Sequence, residues 1–402
     1  MGHRNFGPFF FGNAASATGT WFQNLAAGIF VYRETHSPLL LGVLAFSNFI
    51  PVLVLVPWTG SAADRFDRRR LLIVTQLAAV ALTGTLAALT WAGLAQVWTV
   101  MVFALGLGVV SAFATPAAFS LIGGLVPREE LGSAVALNSM TYNLARAIGP
   151  VLAGVVIQEL GIAAAFAINS LSYLALVVGA FVVQPAAREL VGRGRTQLRE
   201  SLRLVRARPG LLASLLIVAA VGFASDPINT ESPAFAHAFG KPDVYSGFIV
   251  GAFGAGAVGA AFLIAGRVVG PWRRMAQTLA LMGLGLVAFC LVREFGVALG
   301  LLVVAGFGYL SSNTSATSRL QLGVEEHQRG RMMALWSVAF LGLRPFASLV
   351  DGAIAEAFGV RVAGICLALP VLVCALGIVL AERGVVSVAR VTGRRRPGTS
   401  AP

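Results

Sequence analysis

Residues 38–91 read PLLLGVLAFSNFIPVLVLVPWTGSAADRFDRRRLLIVTQLAAVALTGTLAALTW, which is two apolar runs separated by a short arginine-rich segment. About 20 apolar residues in an α-helix are enough to cross the hydrocarbon core of a bilayer. The runs 38–62 and 71–91 both reach that length. This stretch therefore predicts two membrane-spanning helices joined by a charged loop.

The composition of the whole chain points the same way. Of 402 residues, 57% are hydrophobic and only 12% are charged, and the mean hydropathy is +0.81. Water-soluble chains carry about 25% charged residues, so much of this protein's surface must face lipid. Lys and Arg (30) outnumber Asp and Glu (17), but they lie in short gaps between apolar runs and not across the face of a folded domain. That pattern excludes a nucleic-acid-binding protein.

The same length criterion, applied along the chain, predicts an all-α membrane protein with twelve spans. The predicted spans are 6–32, 38–62, 71–91, 95–122, 131–158, 161–184, 210–234, 244–268, 273–292, 295–319, 331–357 and 360–382. The first span is too long for a signal-peptide core, so we expect it to remain in the mature protein. Cys290, Cys366 and Cys374 fall within spans, where their spacing predicts neither a disulfide framework nor a metal site.

A long polar stretch with seven arginines follows the sixth span. It predicts a linker, partly an amphipathic helix through Leu198, Leu202 and Val205. The predicted organisation is an N-terminal six-helix half at 1–184, the linker at 185–209, a C-terminal six-helix half at 210–383 and a tail at 384–402.

The basic residues predict the orientation. The linker's side holds 24 Lys and Arg residues, against four on the opposite side. Loops rich in Lys and Arg stay in the cytoplasm. We therefore expect the linker and both termini to be cytoplasmic.

An internal repeat supports two related halves. A shift of 198 residues aligns Gly132 with Gly330, Ser139 with Ser337, Arg146 with Arg344, Gly154 with Gly352 and Gly161 with Gly359. Two parallel repeats about an axis normal to the membrane, with substrate bound between them, form a transporter architecture.

The loop GSAADRFDRRR at 60–70 resembles the signature loop of the major facilitator superfamily, roughly G-x-x-x-D-R-x-G-R-R, with Asp67 where glycine is usual. The resemblance implies a cytoplasmic gate in which Asp64 contacts the start of span 11. A solvated turn set by the charge bias alone is the alternative. The gate candidates are Gly60, Asp64, Arg65, Arg68, Arg329 and Arg331.

Further segments resemble one branch of that superfamily, which holds the enterobactin exporter and macrolide-efflux proteins. They are TPAAFSLIGGLVPR (115–128), ALNSM (136–140), RAIGPVLAG (146–154), RGRMMAL (329–335) and GLRP (342–345). The resemblance implies export of siderophore-like or drug-like molecules.

The run Gly149-Pro150-x-x-x-Gly154 is similar to the span 5 motif of drug and metabolite antiporters, although Ala145 and Ala153 replace glycines of the full motif. Proline removes a backbone donor and kinks a helix, and glycine permits bending or close packing. These three residues are the predicted hinge, and the similarity implies export over uptake.

Charged residues inside spans indicate a transport pathway, since each is costly unless it is paired or hydrated. Arg146 and Arg344 lie near mid-span on equivalent helices. The candidates for proton coupling are Asp226, Glu231 and Asp351, because a carboxyl group can bind and release a proton during a cycle.

Residues spaced by four on span 11 share one helix face, and polar residues of other spans belong in the same cavity because lipid-facing amides are costly. The substrate-cavity candidates are Asn24, Tyr142, Arg146, Tyr309, Asn313, Trp336, Phe340 and Arg344.

Structural alternatives remain open for several of these residues. Arg146 could satisfy backbone carbonyls at the Pro150 kink. Glu231 and Glu356 could simply reach the outer interface. The residues spaced by four on span 11, which include Trp336 and Phe340, could be core packing.

Together these patterns predict a secondary transporter of bacterial inner-membrane type that exports small amphipathic molecules by alternating access, with proton antiport. We expect a monomer with no cofactor and no enzymatic activity. No phosphate-binding loop is present, because the single lysine, Lys241, lies in Gly240-Lys241-Pro242. A proton-coupled nutrient importer and a non-transporting membrane sensor are the competing interpretations.

Overall fold

The computed structural model describes residues 6–127, 130–183, 198–263 and 270–383, and every regular element in them is helical. The helices in chain order are α1 (Phe6–Thr35), α2 (Pro38–Arg65), α3 (Arg68–Trp91), α4 (Val97–Leu125), α5 (Leu131–Leu160), α6 (Ile162–Val182), α7 (Leu198–Ala207), α8 (Pro209–Thr230), α9 (Ser232–Ala238), α10 (Val244–Leu263), α11 (Trp272–Leu291), α12 (Phe295–Leu322), α13 (Glu326–Ser337), α14 (Arg344–Phe358) and α15 (Val360–Glu382).

Eleven segments in the described part of the chain are long and apolar enough to cross a membrane. The remaining long helix, α1, has 30 residues but carries buried polar side chains at Asn13, Ser16 and Gln23. The all-α membrane fold is confirmed, and the helices are consistent with twelve spans.

Two predicted spans are interrupted. Span 7 divides at Glu231 into α8 and the short α9, each with a proline close to the break, at Pro227 and Pro233. Span 11 divides into α13 and α14 around a π-helical segment, Val338–Gly342. Proline lacks the amide that the preceding turn needs, and π segments often occur at functional sites.

The long helices form two sets, a first set of α1–α6 and a second set of α8–α15. Phe9 lies beside Gly179, so the start of α1 and the end of α6 share one side of the bundle, which we call the linker side. Ser37 donates to Glu356, which places the other ends of α1 and α14 on the opposite side.

The two sets pack together along α5 against α10 and along α2 against α14. Glycine permits the close approach in both places. A Cβ on Gly254 would lie 2.7 Å from Cα of Ala147, and a Cβ on Gly352 would lie 3.0 Å from Cα of Leu39. These contacts run from the middle of the bundle to the opposite side.

Two tight turns occupy equivalent positions of the internal repeat. Gly161 is the only residue between α5 and α6, and Gly359 is the only residue between α14 and α15. Their φ angles are 86° and 90°, a region that L side chains rarely adopt. The aligned glycines thus share one backbone conformation.

On the linker side, α7 is a helix as the sequence predicts, and its Val205 is buried. The side chains of Leu198 and Leu202 lie outside the described residues. Asp67, the departure from the signature loop, caps α3 by accepting a hydrogen bond from the Arg70 amide at 2.7 Å.

The cysteines are free. Cys290 is buried, whereas Cys366 and Cys374 are half-buried. All three lie within helices α11 and α15.

Candidate functional site

Arg146 lies near the middle of α5 and reaches into the second set of helices. Its Nη2 donates to Oδ1 of Asn229 at 3.1 Å. Its guanidinium carbon lies 4.7 Å from the ring centre of Tyr309, 5.2 Å from that of Phe253 and 6.0 Å from that of Trp21. Aromatic faces attract a cation at such distances.

The positive charge of Arg146 has no carboxylate partner among the described residues. Its Nε is buried and makes no hydrogen bond there. A buried charge is costly unless it is paired. The Arg146 pocket is therefore suited to an anion.

Arg344 begins α14 directly after the π segment and has a different environment. Its Nε lies 3.6 Å from Oδ1 of Asp226, and its guanidinium carbon lies 4.5 Å from the ring centre of Phe49. A separation of 3.6 Å is within ion-pair range but too long for a hydrogen bond. Asp226 is fully buried and accepts a hydrogen bond from Thr230 at 3.2 Å.

The two arginines hold the sets of helices together reciprocally. Arg146 belongs to the first set and contacts Asn229, Phe253 and Tyr309 of the second. Arg344 belongs to the second set and contacts Phe49 of the first. Any motion that separates the sets at this level must break both groups of contacts.

Two further carboxylates are buried close to this level. Glu231 and Asp351 have no exposed surface, and none of their four oxygens has a hydrogen-bond partner among the described residues. Ionisable residues inside membrane spans are costly and mark transport pathways, so these two carboxyl groups are candidates for a role in transport.

Glu231 has no exposed surface and so does not reach an interface, whereas Glu356 is exposed on the opposite side. Glu356 is exposed and accepts hydrogen bonds from the Ser37 hydroxyl at 2.8 Å and the Leu39 amide at 3.2 Å. Arg33 forms an ion pair with Asp243 on the same side. Both interactions join the two sets of helices on the opposite side.

Aromatic rings form a further contact between the two sets on the opposite side. Tyr32, His36 and His237 lie with their ring centres 5.7–5.8 Å apart. Tyr32 and His36 come from the first set and its loop, and His237 from α9 of the second.

The predicted cavity residues lie in different environments. Asn24 lines a cavity of about 20 Å³ with Trp21, Pro150 and Asn229. Trp336 stacks on Phe340 with ring centres 5.0 Å apart and planes inclined by 18°.

Two of the predicted cavity residues have buried polar atoms without a hydrogen-bond partner. Nε1 of Trp336 and Oδ1 of Asn313 are buried without a hydrogen-bond partner among the described residues. Tyr309 is buried against Arg146, whereas Tyr142 is 44% exposed nearer the linker side. Polar atoms left unpaired in a protein interior are candidates for contact with water or a ligand.

The predicted gate is only partly described. The surroundings of Gly60 and the side chains of Asp64 and Arg65 lie outside what the structure describes. Arg68 begins α3, and Arg329 and Arg331 lie in α13. The contact between Asp64 and the start of span 11 stays a prediction.

The predicted hinge lies in a continuous helix, since α5 runs unbroken through Pro150. A Cβ on Gly149 would meet the Trp21 side chain at 2.9 Å, and one on Gly154 would meet the Val244 carbonyl oxygen at 2.7 Å. Close packing explains both glycines. Their role as a hinge stays a prediction.

Sequence reasoning named Tyr309 and Asp226 as site candidates but missed Asn229, Phe253 and Phe49 as partners of the two arginines. Phe49 and Phe253 are ordinary apolar residues within spans, and no sequence signal separates them from core residues. Asn229 had a signal, because it is an amide inside a span, three residues after Asp226 and next to Thr230.

Comparison with known proteins identifies the family to which the chain belongs. Residues 1–389 match the family described as transmembrane secretion effector. The chain is 29% identical over 161 residues to a staphyloferrin A transporter of Staphylococcus aureus, covering 40% of this chain and 41% of that protein. It is 25% identical over 227 residues to macrolide efflux protein A of Streptococcus pyogenes, covering 55% and 56%. These matches span about half the length of those curated relatives.

A longer match is to the multidrug efflux pump Tap of Mycobacterium tuberculosis, 23% identical over 395 residues and covering 92% of each chain. Among solved structures, the fold resembles a bacterial homologue of the human lysosomal transporter Spinster in an inward-facing, unoccupied conformation. The TM-score is 0.76, with 14% identity and coverage of 98% and 99%. A D-xylose–proton symporter is also similar, with a TM-score of 0.72, 15% identity and 98% coverage of each chain.

Proposed function

Because this chain belongs to the transmembrane secretion effector family of the major facilitator superfamily, we propose that it exports small amphipathic anions, siderophore-like or drug-like, across a bacterial inner membrane. Similarity to a macrolide efflux protein and to a multidrug efflux pump supports export, and similarity to a staphyloferrin A transporter supports a siderophore-like substrate. The protein is a multi-pass membrane transporter, and we propose that it has no enzymatic activity.

The observation that carries the substrate class is the unequal pairing of the two central arginines. Arg344 has a carboxylate at 3.6 Å, whereas Arg146 is bounded by an amide and three aromatic rings. A carboxylate fits Arg146 as a bidentate partner, and a phenolate fits it as a single charged acceptor. The apolar part of the same molecule fits the surrounding rings and the Trp336–Phe340 stack.

The ion pair of Arg344 and Asp226 supports proton antiport. The anion binds at Arg146 while Asp226 is deprotonated and paired with Arg344. After the anion has left, Asp226 takes up a proton, which breaks the pair and favours return of the empty transporter, and loss of that proton restores the pair before the next anion binds. Glu231 and Asp351 then serve as the route between Asp226 and the opposite side.

Alternating access supplies the motion. The arginine bias supports a cytoplasmic linker side and cytoplasmic termini. With that orientation the described contacts close the outer side, as in an inward-facing transporter. Closure of the inner side would then involve Asp64 with Arg329 and Arg331, and a hinge at Gly149, Pro150 and Gly154. One chain encloses the cavity, so a monomer suffices.

The test is efflux from energised cells that produce the full chain. A fluorescent amphipathic anion and a panel of siderophores are loaded, and retention is followed with and without collapse of the proton gradient. The comparison is between the wild type, Asp226→Asn and Glu34→Gln. The last variant neutralises an exposed acid near the end of α1, away from the central site, and serves as the control.

We expect gradient-dependent efflux that Asp226→Asn abolishes and Glu34→Gln retains. Efflux that survives both gradient collapse and Asp226→Asn would exclude the proton mechanism. Gradient-driven accumulation in place of efflux would identify an importer. A sensor would move no compound, and a cysteine placed at Asn24 or Phe340 would then react equally with and without ligand.

A further inference from the structure

A second polar cavity lies away from the central site, on the linker side of the second set. It has a volume of about 200 Å³, several times the roughly 30 Å³ that one water molecule occupies. It lies between the end of α10, the start of α11 and the last turns of α12. Its lining residues are Leu263, Gly270, Pro271, Arg274, Met275, Thr278, Ser311, Ser315 and Arg319.

The charge of this cavity is one-sided. Two arginines line it, and no acidic residue occurs among the described lining residues. The exposed side chain of Arg274 has no hydrogen bond or ion pair with any described residue, and Nε of Arg319 is buried without a hydrogen-bond partner there. Two guanidinium groups that lack a counter-charge within a partly enclosed space favour an anion.

The structure also holds Arg319 in place for such a partner. Its Nη2 donates to the carbonyl oxygen of Gly270, and its guanidinium carbon lies 4.2 Å from the ring centre of Trp272. A fixed, planar guanidinium loses little conformational freedom when it binds a second partner. The remaining donors are free for oxygen atoms of a ligand.

The position of the cavity selects the kind of anion. It opens where three membrane-spanning helices end, and Trp272 lies at that level, as tryptophan does at membrane–water interfaces. Leu263 is 72% exposed beside the arginines, and Met275 continues the apolar wall. A charged headgroup therefore finds both arginines, and its acyl chains find an apolar surface.

We propose that Arg274 and Arg319 bind a phosphate group at this cavity, supplied by an anionic phospholipid. Basic pockets between membrane helices bind such headgroups. Free inorganic phosphate shares the same recognition chemistry and is the other possible source. The site is separate from Arg146 and Arg344, so it stands independently of the proposed transport function.

The experiment uses the purified full chain in detergent. Binding of phosphatidylglycerol, phosphatidylcholine and inorganic phosphate is measured by native mass spectrometry and by the shift in melting temperature. Arg274→Gln and Arg319→Gln are compared with Arg273→Gln, which neutralises the neighbouring exposed arginine outside the cavity.

We expect phosphatidylglycerol to bind more tightly than phosphatidylcholine, and Arg274→Gln to weaken it about tenfold, since a charge-assisted hydrogen bond is lost. Arg273→Gln should bind as the wild type does. Because Arg319 also holds Gly270, its variant could fail to fold, and Arg274→Gln alone then decides the question.

Equal affinity for the two lipids, combined with no phosphate binding, would overturn the proposal. So would an Arg274→Gln variant that binds like Arg273→Gln. Binding of inorganic phosphate that depends on Arg274, without any preference for phosphatidylglycerol, would assign the site to free phosphate and exclude the lipid.

Discussion

Arg146 and Arg344 occupy equivalent places in the internal repeat, yet the two sets of helices treat them differently. Arg344 lies 3.6 Å from a fully buried carboxylate, Asp226, whereas Arg146 donates to the amide of Asn229. Both also lie over aromatic rings. The difference teaches that a duplicated cation can serve two tasks. In the proposed mechanism, a proton switches the charge that is paired inside the protein, and the other charge is available to a ligand.

The largest expected effect comes from removing the paired arginine. Arg344→Leu leaves Asp226 as an unpaired buried charge, which costs about 3–5 kcal/mol. Arg146→Leu removes one hydrogen bond and the contacts with the rings, so we expect a loss of about 1–2 kcal/mol. The free energy of unfolding in mild detergent measures both.

A double variant controls this comparison. Arg344→Leu combined with Asp226→Leu removes both charges and should recover most of the stability that Arg344→Leu loses. Equal losses in the two single arginine variants would contradict the asymmetry.

The second prediction removes the asymmetry by design. Asn229→Asp gives Arg146 a carboxylate of its own, and we expect it to weaken binding of an organic anion about tenfold, because the carboxylate competes with the ligand. Quenching of tryptophan fluorescence by a fluorescent anion measures the affinity. Asn24→Asp adds the same charge to the small cavity beside Asn229 and is the matched control. If both variants bind equally weakly, the effect is general electrostatics and not competition for Arg146.

A smaller effect is expected from the aromatic rings. Phe253→Leu should weaken anion binding about threefold to fivefold, since a cation–π contact is worth about 0.5–1 kcal/mol. Phe49→Leu should change it less, because Asp226 still holds Arg344. Phe46→Leu alters a ring that pairs with Phe346 and not with an arginine. An effect of Phe46→Leu as large as that of Phe253→Leu would argue against a cation–π role.

The smallest effect concerns an ion pair between the sets that is exposed to water. Arg33 and Asp243 are paired on the opposite side, with 48% and 20% of their side chains accessible. Arg33→Gln should cost less than about 1 kcal/mol, and the loss should disappear in 1 M salt. Unfolding measured at low and high salt tests this, with Asp243→Asn as the reciprocal variant. A loss that persists in 1 M salt would show that the pair of Arg33 and Asp243 behaves like the buried pair of Arg344 and Asp226.

Much of the fold could be predicted from the sequence, because length and hydropathy determine where a helix crosses a bilayer. The second and twelfth predicted spans, 38–62 and 360–382, begin at the same residues as helices α2 and α15. The break at Glu231 has a local signal in Pro227 and Pro233. The π-helical segment Val338–Gly342 could not be placed, since its own sequence is apolar and contains no proline.

The candidate site divides in the same way. Arg146, Arg344 and Asp226 stand out in the sequence because charges inside spans are costly. Which residues face them depends on the rotation of each helix and on packing between the two sets. Phe253 and Phe49 are brought to the arginines by contacts between residues about 100 to 300 positions apart, and no local pattern carries that information.

The single-glycine turns at Gly161 and Gly359 have a consequence for how the protein is made. With one residue between α5 and α6, and one between α14 and α15, neither pair has a loop that could cross the bilayer separately. Each pair must enter the membrane as a hairpin during synthesis. A bulky residue at either glycine would therefore act first on membrane insertion and yield, before any effect on the finished transporter.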